Sequence, residues 1–189
     1  MTHAQYHHHV FETPDGYAAI GWSSLGIACF RLPAPNPHEA ERALLRRLPA
    51  SVRTEASGSV CKVVDASIRY FRGERIDFSS VIVDLGRQEP FALRIYEFVR
   101  RLGWGETTTY GMVARELGAE PQMARDVGQA MASNPVPLII PCHRVLAAGG
   151  RIGGFSAPGG SLSKARMLER EGVAAGEPAG PAPQLGFGF

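Results

Sequence analysis

Asn134-Pro135-Val136-Pro137-Leu138-Ile139-Ile140-Pro141-Cys142-His143-Arg144-Val145 is the stretch on which the reading of this chain turns. Its three prolines forbid a helix, because each lacks an amide donor and clashes with the preceding turn. Leu138-Ile139-Ile140 is too apolar for an exposed loop. The segment therefore reads as a buried extended strand that delivers Pro141-Cys142-His143 to a fixed place. A lone cysteine is ordinarily a small core hydrophobe, which suffices for Cys29 and Cys61. Cys142 differs in having His143 and Arg144 beside it. Neighbours on an extended chain point to opposite sides, so His143 would act on Cys142 through a bridging water. A base in reach raises the thiolate fraction, and thiolate is the nucleophilic form. On spacing alone, a buried structural Cys-His pair fits as well as a nucleophile.

Downstream, the paired glycines between Gly149 and Gly160 make a flexible loop. Leu162, Ala165, Met167 and Leu168 then mark a last helix that ends at Gly172. Residues 176–189 are rich in Pro and Gly and read as a disordered tail. Upstream, Phe91, Ile95, Phe98, Val99 and Leu102 share one helical face before Gly103. Short helices over 108–117 and 122–132, joined by Gly118-Ala119-Glu120-Pro121, have the form of a helix-turn-helix. On the second, Met123, Val127, Ala130 and Met131 belong to the core. Its other face, Arg125, Gly128, Gln129 and Ala132, carries little bulk except one arginine. Either another helix or a nucleic-acid groove could approach so bare a face.

The first half reads as a small α/β unit over 17–89. Tyr17–Trp22 and Gly26–Leu32 form a hairpin about Ser23-Ser24. Asn36 caps a helix with Pro37 at its first position and Glu39 closing a capping box. Val60, Val63, Val64, Ser67, Ile68 and Phe71 follow a 3.6-residue period, and Val81–Val83 is a short strand. Residues 1–16, with His3, His7, His8 and His9, read as a mobile arm. No catalytic constellation is visible in this half.

The chain has 189 residues, 44% apolar and 20% charged, enough for one large domain or two small ones. No apolar run approaches the ~18 residues of a membrane span, and no signal-peptide pattern opens the chain. Three distant cysteines argue for reduced thiols, hence a cytoplasmic protein. Residues 1–90 balance ten Lys/Arg against ten Asp/Glu, whereas 91–175 carry ten against seven. The positive excess thus lies in the second half, a weak pointer to phosphate.

Several motifs in 90–172 jointly resemble the O6-alkylguanine-DNA alkyltransferases. They are NPVPLIIPCHRV, Trp104-Gly-Glu-Thr-Thr-Thr-Tyr110-Gly111, Ala124-Arg125-Asp126-Val127-Gly128, and Gly153-Gly154-Phe155-Ser156 through Glu171-Gly172. The resemblance implies an α/β N-terminal domain (small sheet with helices) and a mainly helical C-terminal domain with a helix-turn-helix, the latter over 90–175. It implies that Cys142 takes an alkyl group from O6 of guanine in double-stranded DNA, irreversibly, with no cofactor. His143 would be its base through water and Glu171 the residue orienting that histidine. Arg125 would fill the stack vacated by a flipped base, with Ala124 and Gly128 letting the helix enter the minor groove. Tyr110 would crowd the target phosphate and protonate the flipped base. Asn134 resembles the family's hinge asparagine, and Val145, Ser156 and Phe155 would line the base pocket.

Asp126, Ala132, Phe155 and the Ser156–Gly159 loop depart from the usual pattern, but none touches Cys142, His143 or Glu171. A monomer without metal is expected, since Cys29 and Cys61 lack a matching ligand set. The other readings are a lesion sensor that binds alkylated DNA without reacting and, more weakly, a thiol hydrolase.

Overall fold

The computed structural model describes residues 5–174 and 176–178. Three strands meander at the start: β1 (His7–Thr13), β2 (Gly16–Ser23) and β3 (Gly26–Ala34). Helix α1 (Pro37–Leu45) follows, then β4 (Val52–Arg53), which returns parallel to β1 and gives the sheet order β3-β2-β1-β4. The expected hairpin about Ser23-Ser24 is present. At the head of α1, Asn36 Oδ1 accepts from the Glu39 amide at 2.9 Å, and its Nδ2 donates to the Glu39 carboxylate. The second arm of the box therefore closes on the cap side chain.

The structure corrects the N-terminal arm. His7–Thr13 pairs residue for residue with residues 16–22 of β2. Phe11 is buried edge-on against Phe30, and His8 is buried because its ring finds Glu41 at 3.0 Å and Ser51 at 2.9 Å. Histidine buries readily once both ring nitrogens are bonded, so a polar composition was a poor guide here. Val81–Val83 is reduced to a single bridge between Val83 and Ile27.

Helix α2 (Gly58–Phe71) turns Val60, Val63, Val64, Ser67 and Phe71 into the core, as its period predicts, and buries Tyr70 with them, while Ile68 is only half-buried. The second half comprises α3 (Pro90–Val99), β5 (Thr108–Thr109), α4 (Tyr110–Glu116), α5 (Ala124–Ala132), β6 (Val145–Leu146), β7 (Arg151–Ile152), α6 (Gly160–Arg170) and β8 (Gly176–Pro178). Helices α4 and α5, joined through a 3-10 turn at Pro121–Met123, form the expected helix-turn-helix. The Tyr96 hydroxyl of α3 donates to the Ala130 carbonyl at 3.0 Å and fixes α5 from behind.

Gly176–Pro178 pairs parallel with β7, which corrects the start of the expected disordered tail. Its remainder, 179–189, lies outside the described residues, as does His3 of the arm. One apolar core runs from Phe11 and Phe30 through Tyr70 to Ile139, Cys142 and Met167, so both halves of the chain share it. Among the described residues no helix is long and apolar enough to cross a membrane.

Candidate active site

The Asn134–Val145 segment is buried, as expected, but it is not extended throughout. The Ile140 amide turns back to the Val136 carbonyl at 2.9 Å. Leu138 sits at φ 78°, a left-handed conformation that a leucine adopts only under strong local constraint. Pro141, at φ −77° and ψ 66°, is the centre of an inverse γ-turn closed by the Cys142 amide on the Ile140 carbonyl at 2.7 Å. Cys142–Arg144 is then a single 3-10 turn. Prolines that cannot donate to a ladder leave these tight local turns as the way to satisfy the backbone.

Asn134 holds the segment together. Its amide nitrogen donates to the Ile140 carbonyl at 2.9 Å and its oxygen accepts from the Val136 amide at 3.0 Å. The same side chain favours the thiolate form of Cys142. The Phe30 amide of β3 donates to the Pro135 carbonyl at 2.9 Å, so the N-terminal sheet also braces the segment.

His143 and Glu171 are brought together as expected. Nε2 of His143 meets Glu171 Oε1 at 2.8 Å, with both side chains fully buried. Glu171 also accepts from the Tyr70 hydroxyl at 2.9 Å, from Arg144 Nε and Nη2 at 2.8 and 2.9 Å, and from the Gly105 amide at 3.2 Å. Burial alone would push its carboxyl up, but the hydrogen bonds from His143 and Arg144 and their charges win and hold it well below the usual range. Glu171 is therefore an ionised acceptor, and Nε2 of His143 must carry the proton that bonds it. Burial lowers the histidine's own pKa despite Glu171, so the ring is neutral. Its Nδ1 is then a buried lone pair with no hydrogen-bond partner among the described residues. That atom is the available base.

Cys142 is 4% exposed. Burial pushes its thiol up, while the Asn134 side chain and the Lys164 charge pull it down. Lys164 is itself buried, donates to the Val145 carbonyl at 2.6 Å, and lies 5.7 Å from the Tyr110 ring and 5.8 Å from the Phe155 ring. Desolvation brings its ammonium down to about 8. Tyr110 opens α4, and a Cβ on Gly153 would come within 2.9 Å of its hydroxyl, so only glycine fits beneath that ring. Burial, then the Cys142 charge, raises the Tyr110 pKa, keeping it a proton donor. Phe155 is half-buried and Ser156 exposed, its hydroxyl donating to the Ala132 carbonyl at 3.0 Å.

On α5, Arg125, Asp126, Gln129 and Ala132 are exposed, Ala124 and Gly128 half-buried. A Cβ on Gly128 would meet nothing within 4 Å, so packing inside the chain does not demand this glycine. Among the described residues no three His, Cys, Asp or Glu side chains converge as a metal-ligand group.

Three residues of the site escaped the sequence reading. Tyr70 was hidden in the apolar stripe of α2, where its hydroxyl leaves no mark on the period. Arg144 was noticed only as a neighbour. Lys164 did carry a signal: it is one of only two lysines beside 18 arginines.

Residues 90–173 match the family model described as 6-O-methylguanine DNA methyltransferase, DNA binding domain. A methylated-DNA–protein-cysteine methyltransferase of Metallosphaera sedula is 43% identical over 103 residues, 54% of this chain and 62% of that protein. The match thus spans less than two thirds of that relative. A DNA base-flipping protein of Thermus thermophilus is 43% identical over 120 residues, 63% of this chain and 78% of that one. The crystal structure of Mycobacterium tuberculosis OGT in complex with DNA superposes with a TM-score of 0.71 at 28% identity, covering 87% of this chain and 92% of that one.

Proposed function

The chain belongs to the 6-O-methylguanine DNA methyltransferase family, and from this premise we propose that it repairs DNA by moving an alkyl group from O6 of guanine onto its own Cys142. The observation that carries the reading is the buried Cys142 beside a neutral His143 whose free Nδ1 is backed by an ionised Glu171.

The chemistry follows from those protonation states. The thiol proton passes through a water to Nδ1 of His143, and the imidazolium so formed is stabilised by Glu171, as in a hydrolase triad. The thiolate attacks the alkyl carbon in line. The S–C bond forms, the C–O bond breaks, and its electron pair goes to the guanine. Tyr110 gives that base a proton and improves it as a leaving group. The resulting thioether has no acyl or phosphoryl centre for an activated water to attack, so each molecule acts once.

A base inside a duplex must first be flipped out, at a cost of about a few kcal/mol. Arg125 fills the stack, while Ala124 and Gly128 let α5 close on the minor groove. Tyr110 crowds the target phosphate, and Val145, Phe155 and Ser156 frame the base. The Val145 carbonyl already accepts from Lys164, so it offers the base only its remaining lone pair. The protein acts as a monomer in the cytoplasm on this reading.

Intact-mass measurement after incubation with a duplex containing one O6-methylguanine tests the proposal. A gain of one methyl, mapped to Cys142 and capped at one per molecule, is expected. The likeness to the base-flipping protein of T. thermophilus favours one other reading, lesion binding without transfer. Tight binding with no mass change would establish it.

A further inference from the structure

A cavity of about 590 Å³ lies apart from Cys142. It opens between the end of α1, strand β3, the end of α5 and the Ser156 loop, and Arg31, Arg46 and Arg47 line it. No acidic residue does. Among the described residues none of the three arginines forms an ion pair with a carboxylate. Arg31 is steadied by its Nε on the Ala43 carbonyl at 3.2 Å, and Arg46 and Arg47 are exposed. The arginines are not needed to neutralise the end of α5. The Ala130 and Ala132 carbonyls there already accept from the Tyr96, Ser133 and Ser156 hydroxyls. Three guanidinium groups facing one cavity without an internal anion present the donors and the charge that suit a phosphate.

We infer that this cavity seats a backbone phosphate of the DNA strand, extending the duplex-binding surface from α5 onto the N-terminal domain. The inference rests on the repair reading, because Ala132 and Ser133 at the end of α5 and Ser156 beside the proposed base pocket line this cavity. It also gives the N-terminal half, whose net charge is balanced, a local role in binding that its total charge conceals.

The test uses the full chain with Cys142→Ser, which stops the reaction, and a fluorescent duplex containing one O6-methylguanine. Affinity is measured across a salt series. Arg46→Ala/Arg47→Ala should weaken binding about 10-fold and reduce the slope of log K against log[salt] by about 0.9, one phosphate contact's worth. Arg46→Lys/Arg47→Lys should restore most of the slope. Arg42→Ala, on the same helix but outside the cavity, should leave it unchanged. A double-alanine variant with the parent's slope overturns the inference while leaving the repair reading intact. If inorganic phosphate then still stabilises the parent but not that variant against heat, the cavity is a small-anion site only. Failure of the parent to bind the duplex at all overturns both.

Discussion

The Tyr70 hydroxyl donates to Glu171 across 2.9 Å, joining α2 of the first half of the chain to the last turn of α6 in the second. The same oxygen lies 3.4 Å from His143 Nε2. The N-terminal domain thus supplies one of five donors that fix the carboxylate behind the base. Tyr70→Phe keeps the ring and its edge-on packing against Phe71, Phe78 and Trp104. It should cost about 1 kcal/mol of stability and slow alkyl transfer severalfold, with lesion affinity unchanged. Single-turnover rates at several pH values, beside an anisotropy titration, check it; an unaltered rate removes Tyr70 from the relay.

Glu171→Gln should do more than slow the reaction. The amide puts a donor among donors and leaves Arg144, 6% exposed, without its carboxylate. Breaking a buried pair in this way costs about 3–5 kcal/mol. The pH dependence has a definite sign. A carboxyl whose folded pKa lies below its unfolded value of about 4.3 contributes stability that is complete above that value and is lost as pH falls toward the folded one. The wild-type chain should therefore lose stability steeply below about pH 4, and the Gln variant less so. Urea unfolding from pH 7 to pH 3 measures both.

Most of this architecture could be read from the residues. The periods of α2, α3 and α5, the Asn36 cap and the hairpin at Ser23-Ser24 follow from local rules, and structure and sequence agree on them. The disagreements share one cause. His8 in a strand, Tyr70 in the relay and Lys164 in the core are polar groups buried by partners distant in sequence, and no local pattern reports a partner 33 or 101 positions away. The γ-turn at Pro141 escaped for the same reason. Proline excludes helix and ladder, but only the Asn134 bonds to both ends of the segment choose the turn.

Asn134→Ala should be among the most damaging single changes. It leaves the buried Val136 amide without its partner, at a cost of about 1–3 kcal/mol, and leaves the Ile140 carbonyl with the Cys142 amide alone. It also withdraws an amide that favours the Cys142 thiolate. Melting temperature should fall by more than 5 °C and the thiol should react more slowly with iodoacetamide at pH 7. Full reactivity in a destabilised protein would leave Asn134 a purely structural role.

Arg125→Ala should separate flipping from chemistry. The side chain is exposed on α5 and makes no ion pair among the described residues, so folding stability should change by less than about 0.5 kcal/mol. Repair in duplex DNA should slow by about 100-fold or more, whereas reaction with free O6-benzylguanine should barely change. Equal losses on both substrates would count against an intercalating role.

Lys164→Met should stabilise the protein and impair it together. An ammonium whose pKa falls to about 8 in the fold, from about 10.4 in an unfolded chain, is a charge the interior disfavours at pH 7. The penalty is on the order of 3 kcal/mol, partly offset by its bond to the Val145 carbonyl. Folding expels the proton between these two values, so wild-type stability should rise from pH 8 to pH 10, and the Met variant should lack that rise. Methionine fills the same slot between Tyr110 and Phe155 without the charge. Its melting temperature at pH 7 should therefore exceed that of wild type. The charge is retained because it lowers the Cys142 pKa; without it the thiolate becomes scarcer and transfer should slow about 10-fold. A calorimetric scan and a single-turnover assay on the same preparation decide the matter. A variant that is less stable, or equally fast, would show that Lys164 serves packing and not the thiolate.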